Sequence, residues 1–292
     1  MILVSLMGGL GNQMFQYAFG KKISKKFHQD IALDLSFFSQ KFDHATTPCT
    51  YALNCYKLSS KVKTFNSRPF YISGQFGRFS KILHKMNSSK FLGIVEESGF
   101  EFDQGNLEYP GSNLYIGYWQ SYKYIKDIKE DIVKDFTIKS PLSLQNQNYF
   151  EKIISNDAVG LHFRRGDYIT NKEAAKFHGI CSLNYYEKAL NVINKEVGNP
   201  KLFVFSDDIQ WVIENLSTKL PITYVTGNYN SPEVDTYLLS KCKHYIIANS
   251  SFSWWGAFLG EQKDSIVIRP SQWFVENNER TKDLCPDNWK AM

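Results

Sequence analysis

Two adjacent arginines, Arg164 and Arg165, follow a predicted buried strand at 158–163 and are candidates to bind an anion. Each guanidinium presents a planar set of N–H donors that can bind a phosphate through paired hydrogen bonds. A surface ion pair with Asp167 is the alternative role for an Arg-Arg-Gly-Asp segment. A phosphate site is favoured where other strand ends supply matching groups.

A run of small polar residues follows a second predicted strand, where the chain enters a helix. The run is Asn249-Ser250-Ser251-Phe252-Ser253. Unpaired backbone N–H groups and the helix dipole favour a phosphate at such a junction, and an ordinary serine N-cap is the alternative. We expect the two following residues, Trp254 and Trp255, to pack inside the protein and fix the turn rather than to contact a ligand.

Two carboxylates, Asp207 and Asp208, follow a third predicted strand at 201–205. One of them could accept hydrogen bonds from the N1–H and N2–H₂ groups of a guanine while the other caps the next helix. Metal binding is the competing use of such acids. The chain contains no Asp-x-Asp of the type that holds Mn²⁺ in many nucleotide-sugar enzymes, so we expect no metal.

A glycine-rich turn follows the first predicted strand, and its sequence is Gly8-Gly9-Leu10-Gly11-Asn12-Gln13. Glycines allow the backbone to approach a ligand closely. The turn also resembles half of a dinucleotide-binding fingerprint, with Met14 in place of the third glycine and Asp34 where a ribose-binding acid would stand. An NAD-dependent enzyme is therefore one alternative, although it leaves the arginines and the serine run without a role.

The elements that must position these groups alternate between strands and helices. In the second half, predicted strands at 158–163, 201–205, 222–225, 245–248 and 265–268 alternate with predicted helices at 183–196, 209–216, 231–243 and 252–260. This alternation is typical of a parallel sheet with helices on both faces, which binds ligands at the carboxyl ends of its strands. A strand, a helix and a second strand also open the chain, whereas 37–121 is predicted to form mostly loops and short elements.

Composition excludes several other classes of protein. The 292 residues carry a formal charge of +5 without a long basic run, which argues against an extended nucleic-acid surface. The five cysteines include no C-x-x-C pair, which argues against a zinc site and a disulfide framework. We find no signal peptide and no apolar stretch of about 20 residues. A cytoplasmic protein, at most peripheral on the inner face of the plasma membrane, is expected.

Four segments together resemble the bacterial α-1,2-fucosyltransferases, and they occur in that family's order over most of the chain. They are Gly9 to Tyr17, His162 to Tyr168, Phe205 to Trp211 and Ser250 to Ala257. His178-Gly179 and Asp235 also resemble the family. The resemblance implies an inverting, metal-independent enzyme that uses GDP-fucose as co-substrate and a galactose-terminated oligosaccharide or glycolipid as acceptor.

The resemblance also implies a GT-B-like α/β fold with two Rossmann-type domains facing a cleft. Residues 1–145 would form the acceptor-side domain and residues 146–292 the GDP-fucose domain, with the division near the polar stretch 140–148. The high aromatic content, 15% of residues, keeps a non-catalytic carbohydrate-binding module as a further alternative.

Residue roles follow from the same resemblance. On the donor side, Arg164 would hold the β-phosphate, His162 would shape the guanosine pocket, and Asp207 or Asp208 would bind guanine. Ser250, Ser251, Phe252 and Ser253 would receive the phosphates. On the acceptor side we expect Gly9, Gly11, Asn12, Gln13 and His178, with Asn12 facing the junction between fucose and acceptor. Asp167 is our first choice for the general base and His178 the second.

Overall fold

The structure is a computed structural model that describes residues 1–39, 49–59, 62–66, 93–109, 113–166, 176–275 and 281–292. The chain forms two compact units. The N-terminal unit comprises Met1–Phe136 with Lys282–Leu284, and the C-terminal unit comprises Thr137–Thr281 with Cys285–Met292. Asp167, the predicted general base, lies outside the described residues.

The N-terminal unit contains a parallel sheet in the strand order β3-β2-β1-β5-β4. Its strands are β1 (Ile2–Ser5), β2 (Ile31–Asp34), β3 (Lys63–Phe65), β4 (Ile94–Glu96) and β5 (Leu114–Ile116). Its α-helices are α1 (Leu10–Phe27), α2 (Tyr122–Ile125) and α3 (Lys129–Asp135), and short 3₁₀ turns lie at Ser36–Ser39, Leu53–Cys55, Gln104–Leu107 and Lys126–Ile128. The predicted opening of strand, helix and parallel strand is confirmed.

The C-terminal unit contains a second parallel sheet, in the order β11-β10-β9-β6-β7-β8. Its strands are β6 (Asp157–Phe163), β7 (Pro200–Ser206), β8 (Ile222–Tyr224), β9 (His244–Ile246), β10 (Val267–Arg269) and β11 (Lys290–Ala291). Its helices are α4 (Leu144–Ile154), α5 (Leu183–Glu196), α6 (Ile209–Asn215), α7 (Pro232–Leu239) and α8 (Ser251–Gly260).

Helices cover both faces of this second sheet, as predicted. Side chains alternate between the two faces along a strand. On β6, Val159 and Leu161 belong to a buried cluster that includes residues of α5 and α6. Gly160 faces the other way, and a Cβ added to it would lie 2.3 Å from a methyl group of Leu239 on α7. The close contact with α7 explains why glycine occupies this position.

One predicted boundary is wrong. The helix that begins at Pro232 was expected to continue to about Lys243, but α7 ends at Leu239. Two amide N–H groups beyond its end bond three residues back, to Leu238 and Leu239, and so form a tight turn. The N–H of Lys243 then bonds to the carbonyl of Ala158, which joins the chain to the sheet just before β9. Pairing with the sheet therefore stops the helix one turn early.

A strained turn follows β5 in the N-terminal unit. Trp119 has a φ of +57°, a left-handed conformation that is unfavourable for a bulky residue. Glu97, which follows β4, accepts the backbone N–H of Tyr118 at 2.7 Å and of Trp119 at 2.9 Å. The Trp119 ring is fully buried and stacks on Phe19 with 4.0 Å between the ring centroids. The Glu97 carboxylate and the buried ring thus hold the turn in place.

Burial raises the pKa of Glu97 to about 7, from an ordinary value of 4.5, although the two amide donors oppose the shift. Because this pKa is higher in the folded than in the unfolded protein, the folded protein binds more protons between about pH 4.5 and 7. The contribution of Glu97 to the free energy of unfolding therefore falls as pH rises through that interval.

We expect Glu97→Gln to remove this part of the pH dependence, because glutamine does not ionise. Urea unfolding at pH 5 and pH 7.5 measures the change in the free energy of unfolding between the two pH values. This free energy should fall more for the wild type than for the variant. Glu96→Gln, at the exposed neighbouring position, is the matched control and should behave as the wild type. Equal pH dependence in wild type and Glu97→Gln would contradict this account of Glu97.

Candidate functional site

The direction in which successive strands are added to the second sheet reverses at β6. From β6 the chain continues outward to β7 and β8, and it then returns to place β9 on the opposite side of β6. Ligands of open parallel sheets bind at such reversals, beyond the carboxyl ends of the strands. Arg164 follows β6, and the stretch from Asn249 to Ser253 follows β9. The topology therefore brings these two predicted motifs to one edge of the sheet.

A cavity of about 500 Å³ lies at this edge. Small-molecule sites in proteins commonly measure about 300–1,000 Å³. Four of the predicted donor-side residues line the cavity, namely His162, Arg164, Asp207 and Phe252. The loop after β8 and the first turn of α7 supply further lining residues. We call it the donor cavity.

Arg164 is fixed by a carboxylate from the neighbouring strand end. Its Nη1 lies 2.9 Å from Asp207 Oδ2, and Asp207 Oδ1 accepts the backbone N–H of Arg165 at 2.8 Å. A Cβ at Gly166 would lie 2.7 Å from Asp207 Oδ2, so glycine permits this close approach. A guanidinium has five N–H donors, so Arg164 can hold Asp207 and bind an anion at the same time.

Arg165 and Asp208 support the fold beside this cavity. The Arg165 guanidinium lies over the Trp211 ring, 3.4 Å from its centroid, and its Nε donates to Asp208 Oδ2 at 3.2 Å. Asp208 Oδ1 accepts the backbone N–H of Trp211 at 3.3 Å and so caps α6. Neither Arg165 nor Asp208 is among the residues that line the donor cavity.

His162 is the second-to-last residue of β6, lines the donor cavity and is only 4% exposed. Burial lowers its pKa to about 3; the negative charge of Asp207 opposes this shift and the positive charge of Arg164 adds to it. The imidazole is therefore neutral at physiological pH. Its Nδ1 is buried and has no hydrogen-bond partner among the described residues. A buried nitrogen without a partner is costly, so a ligand in the cavity would stabilise it.

The serine run begins α8, as predicted. Ser250 is the N-cap residue and α8 starts at Ser251. The Ser253 hydroxyl is buried and lies 3.3 Å from the Ser250 carbonyl and 3.4 Å from that of Ala248, so it donates within its own turn. Because the first amide N–H groups of a helix lack acceptors within the helix, the backbone of this turn is the better candidate for binding phosphate.

Trp254 and Trp255 are both fully buried, which confirms their predicted role in packing. Asn249, which precedes the serines, holds the turn through its side chain. Its Nδ2 donates to the carbonyls of His178 at 2.7 Å and Trp273 at 3.2 Å. These contacts fix the start of α8 against two other segments of the C-terminal unit.

His178 is not among the residues that line the donor cavity. It packs against Phe177 and Phe274 and lines a second cavity of about 310 Å³, which Asn249 also lines. His178 belongs to the C-terminal unit. Its predicted roles on the acceptor side and as an alternative base stay predictions.

The first sheet has its own reversal, between β1 and β5. The turn after β1 and the turn after β5 meet there, where Gln120 Nε2 donates to Asn12 Oδ1 at 2.8 Å. Gly8 has a φ of +73°, and a Cβ on it would lie 2.5 Å from Asn12 Nδ2. Gly9 caps α1 and Gly11 is buried in its first turn. The predicted acceptor-side residue Asn12 is thus held by Gln120, which the sequence did not single out.

Gln13 and Asp34 have structural partners inside the N-terminal unit. Gln13 Nε2 donates to the carbonyls of Gly8 and Thr50, both at 2.8 Å, and its Oε1 accepts the N–H of Ala52 at 2.9 Å. Asp34 is fully buried and accepts the N–H of Ser36 at 2.9 Å and the hydroxyl of Ser5 at 3.3 Å. These hydrogen bonds account for Asp34 without the ribose that an NAD site would require.

Gln120 was not predicted from the sequence, and Asp235 was given no role there. Gln120 follows the apolar triplet Leu114–Ile116 closely, so a strand-end rule applied to this triplet would have found it. Asp235 lines the donor cavity from the first turn of α7, yet it was noted only for its resemblance to the family.

Across the described ranges, no group of three or more His, Cys, Asp or Glu side chains could hold a metal ion. None of the helices described there is long and apolar enough to cross a membrane.

Comparison with known proteins gives matches to nearly the whole chain and to parts of it. The alpha-1,2-colitosyltransferase of Escherichia coli is 34% identical, with 99% of this chain and 97% of that protein covered. The galactoside alpha-(1,2)-fucosyltransferase 2 of Mus musculus is 29% identical over 51% of this chain and 46% of that protein. The crystal structure of fucosyltransferase NodZ from Bradyrhizobium matches with a TM-score of 0.52 at 13% identity, covering 88% of this chain and 91% of NodZ.

The match to NodZ confirms the predicted GT-B-like α/β fold, to which both parallel sheets correspond. The family model for glycosyl transferase family 11 matches residues 1–292. The chain therefore belongs to glycosyl transferase family 11.

Proposed function

We propose that the chain is an inverting α-1,2-fucosyltransferase, which transfers L-fucose from GDP-β-L-fucose to the 2-hydroxyl of a terminal galactose. The observation that carries this proposal is the donor cavity, which is lined both by Arg164 and by Phe252 of the first turn of α8. This arrangement suits a nucleoside diphosphate. The linkage follows from the α-1,2 activity named for both relatives, and the sugar and acceptor follow from the name of the mouse enzyme.

The proposed reaction is a single displacement at the anomeric carbon of fucose. The acceptor oxygen forms a bond to this carbon while the bond to the β-phosphate oxygen breaks, so a β-linked donor gives an α-linked product. The acceptor hydroxyl loses its proton, and GDP leaves with the bonding electrons. Negative charge therefore grows on the diphosphate as the bond breaks. The Arg164 guanidinium and the amide end of α8 would stabilise that charge.

Several roles in this scheme remain proposals. Asp167 is proposed to accept the proton because it is three residues beyond Arg164 in the sequence, and His178 is the second choice. Asn12 is proposed to contact the sugars from the N-terminal unit. Asp207 orients Arg164 and is also the preferred candidate to bind guanine, because it lines the donor cavity whereas Asp208 does not. The acceptor is proposed to be an oligosaccharide or glycolipid, reached from a cytoplasmic location with at most peripheral membrane contact.

The direct test is incubation of the protein with GDP-fucose and a set of β-galactosides, followed by linkage analysis of the product. We expect a fucosylated galactoside with an α-1,2 linkage. GDP-colitose belongs in the same assay, because colitose is the 3-deoxy form of L-fucose and one relative is a colitosyltransferase. Faster transfer from GDP-colitose would overturn the choice of sugar, and a different linkage would overturn the proposed reaction.

We expect Arg164→Ala to reduce kcat by about 10²–10³, since one transition-state contact of this kind has that effect. Arg164→Lys should restore little activity, because a point charge cannot reproduce paired guanidinium contacts. Arg165→Lys is the matched control: it should lower the Tm by disrupting the stack on Trp211 but keep kcat within about twofold. Wild-type turnover by Arg164→Ala would remove Arg164 from the proposed mechanism.

We also propose that transfer requires no metal ion, because Arg164 and α8 supply the positive charge that a divalent cation would otherwise supply. The expected result is an unchanged initial rate in the presence of excess EDTA. Restoration of a lost rate by Mn²⁺ or Mg²⁺ would show that this part of the proposal is wrong.

A further inference from the structure

Two buried glutamines connect the turns that follow β1 and β5. Gln16 on α1 accepts the N–H of Met7 at 3.0 Å and donates to the carbonyl of Gly117 at 3.2 Å, so it joins the two turns through their backbones. Gln120 instead donates to the side chain of Asn12, at 2.8 Å. The bond from Gln120 therefore acts on the orientation of one side chain, while Gln16 already holds the turns together.

The backbone is held on both sides of Gln120, which fixes the position of its side-chain amide. Before it, Glu97 accepts the N–H of Trp119 at 2.9 Å. After it, the Ser121 hydroxyl donates to the carbonyl of Asp283 at 2.8 Å. The N–H of Ser121 bonds to the carbonyl of Trp119 at 2.9 Å and closes a tight turn centred on Gln120. Gln120 is only 7% exposed, and a hydrogen bond shielded from water is stronger than one in solvent.

The bond from Gln120 determines which atom of the Asn12 amide faces away from it. Because Gln120 donates, it contacts Oδ1 of Asn12, and the amino nitrogen Nδ2 lies beside Gly8. A Cβ on Gly8 would lie 2.5 Å from this nitrogen, so residue 8 can place no side chain there. Asn12 is partly exposed in the first turn of α1, at the carboxyl end of β1, where open parallel sheets bind their ligands.

We infer that Gln120 is a positioning residue, which holds the Asn12 amide so that its amino group, and not its carbonyl oxygen, faces the sugars. An amide NH₂ group donates hydrogen bonds and accepts none. The pair therefore selects a sugar oxygen that accepts a hydrogen bond. Gln120 acts through Asn12 and touches no substrate in this scheme. The inference rests on the proposed contact between Asn12 and the sugars.

A double-mutant cycle between Gln120→Met and Asn12→Ala tests the inference, because methionine keeps the length of the side chain but cannot donate. For transfer from GDP-fucose to a β-galactoside, we expect Gln120→Met to lower kcat/KM about 3–10-fold, the effect of one neutral hydrogen bond. In the Asn12→Ala background the same substitution should change kcat/KM by less than about twofold, since no amide remains to be oriented. An equal loss in both backgrounds would show a merely structural role and overturn the inference.

Asn12→Asp gives a second measurement that does not depend on the folding of a Gln120 variant. It keeps an oxygen for Gln120 to contact but replaces the amino group with another oxygen. Its kcat/KM should fall at least as far as that of Asn12→Ala. Activity equal to the wild type in either Asn12 variant would overturn the inference.

Gln104→Met is the matched control, because Gln104 is an exposed glutamine of the same unit, and it should keep the kcat/KM of the wild type. Gln120→Met should also bind GDP in calorimetry as tightly as the wild type, because the donor cavity belongs to the C-terminal unit. Loss of GDP affinity would indicate general destabilisation and count against the positioning role. A wild type that transferred no fucose would instead overturn the proposed function, and the inference with it.

Discussion

The ion pair between Arg164 and Asp207 is the contact on which the donor cavity depends. β6 lies between β7 and β9, so its carboxyl end meets the residues that follow both neighbours. A guanidinium there needs a carboxylate beside it when no ligand is bound, and Asp207 supplies one at 2.9 Å. The same carboxylate accepts the next backbone N–H, which ties the strand end to its neighbour. Arg164 is therefore oriented before any anion arrives.

A carboxylate also organises the strand ends of the N-terminal unit, but through hydrogen bonds from the backbone rather than through an ion pair. Glu97 faces backbone amides instead of a cation, and burial raises its pKa to about 7. It holds the left-handed Trp119, and the next residue, Gln120, donates to Asn12. In both sheets, strand ends that are distant in the sequence are joined by hydrogen bonds at a carboxylate. The candidate functional residues lie on the turns that these bonds fix.

Periodicity and strand-end motifs were sufficient to predict the second parallel sheet and the opening strand, helix and strand of the first, and to place Arg164 and the start of α8 at the same end of the second sheet. The rest of the first sheet was not predicted in this way, because β3, β4 and β5 lie in the stretch that was expected to form mostly loops and short elements. These patterns were not sufficient to predict contacts between side chains. Gln120 and Asn12 are 108 residues apart, and no local pattern pairs them. The hydrogen bond from Asn228 to Asp235 is likewise a contact that the sequence of a helical first turn does not reveal. The end of α7 was missed because sheet pairing, a tertiary effect, overrides the helical pattern.

The central claim is that the donor nucleotide binds at the reversal of the second sheet. A crystal structure of the protein with GDP tests it most directly. The β-phosphate should lie within about 3 Å of the Arg164 guanidinium and of amide N–H groups in the first turn of α8, with the nucleoside in the donor cavity. GDP bound instead at the glycine turn after β1, with the donor cavity unoccupied, would contradict the account.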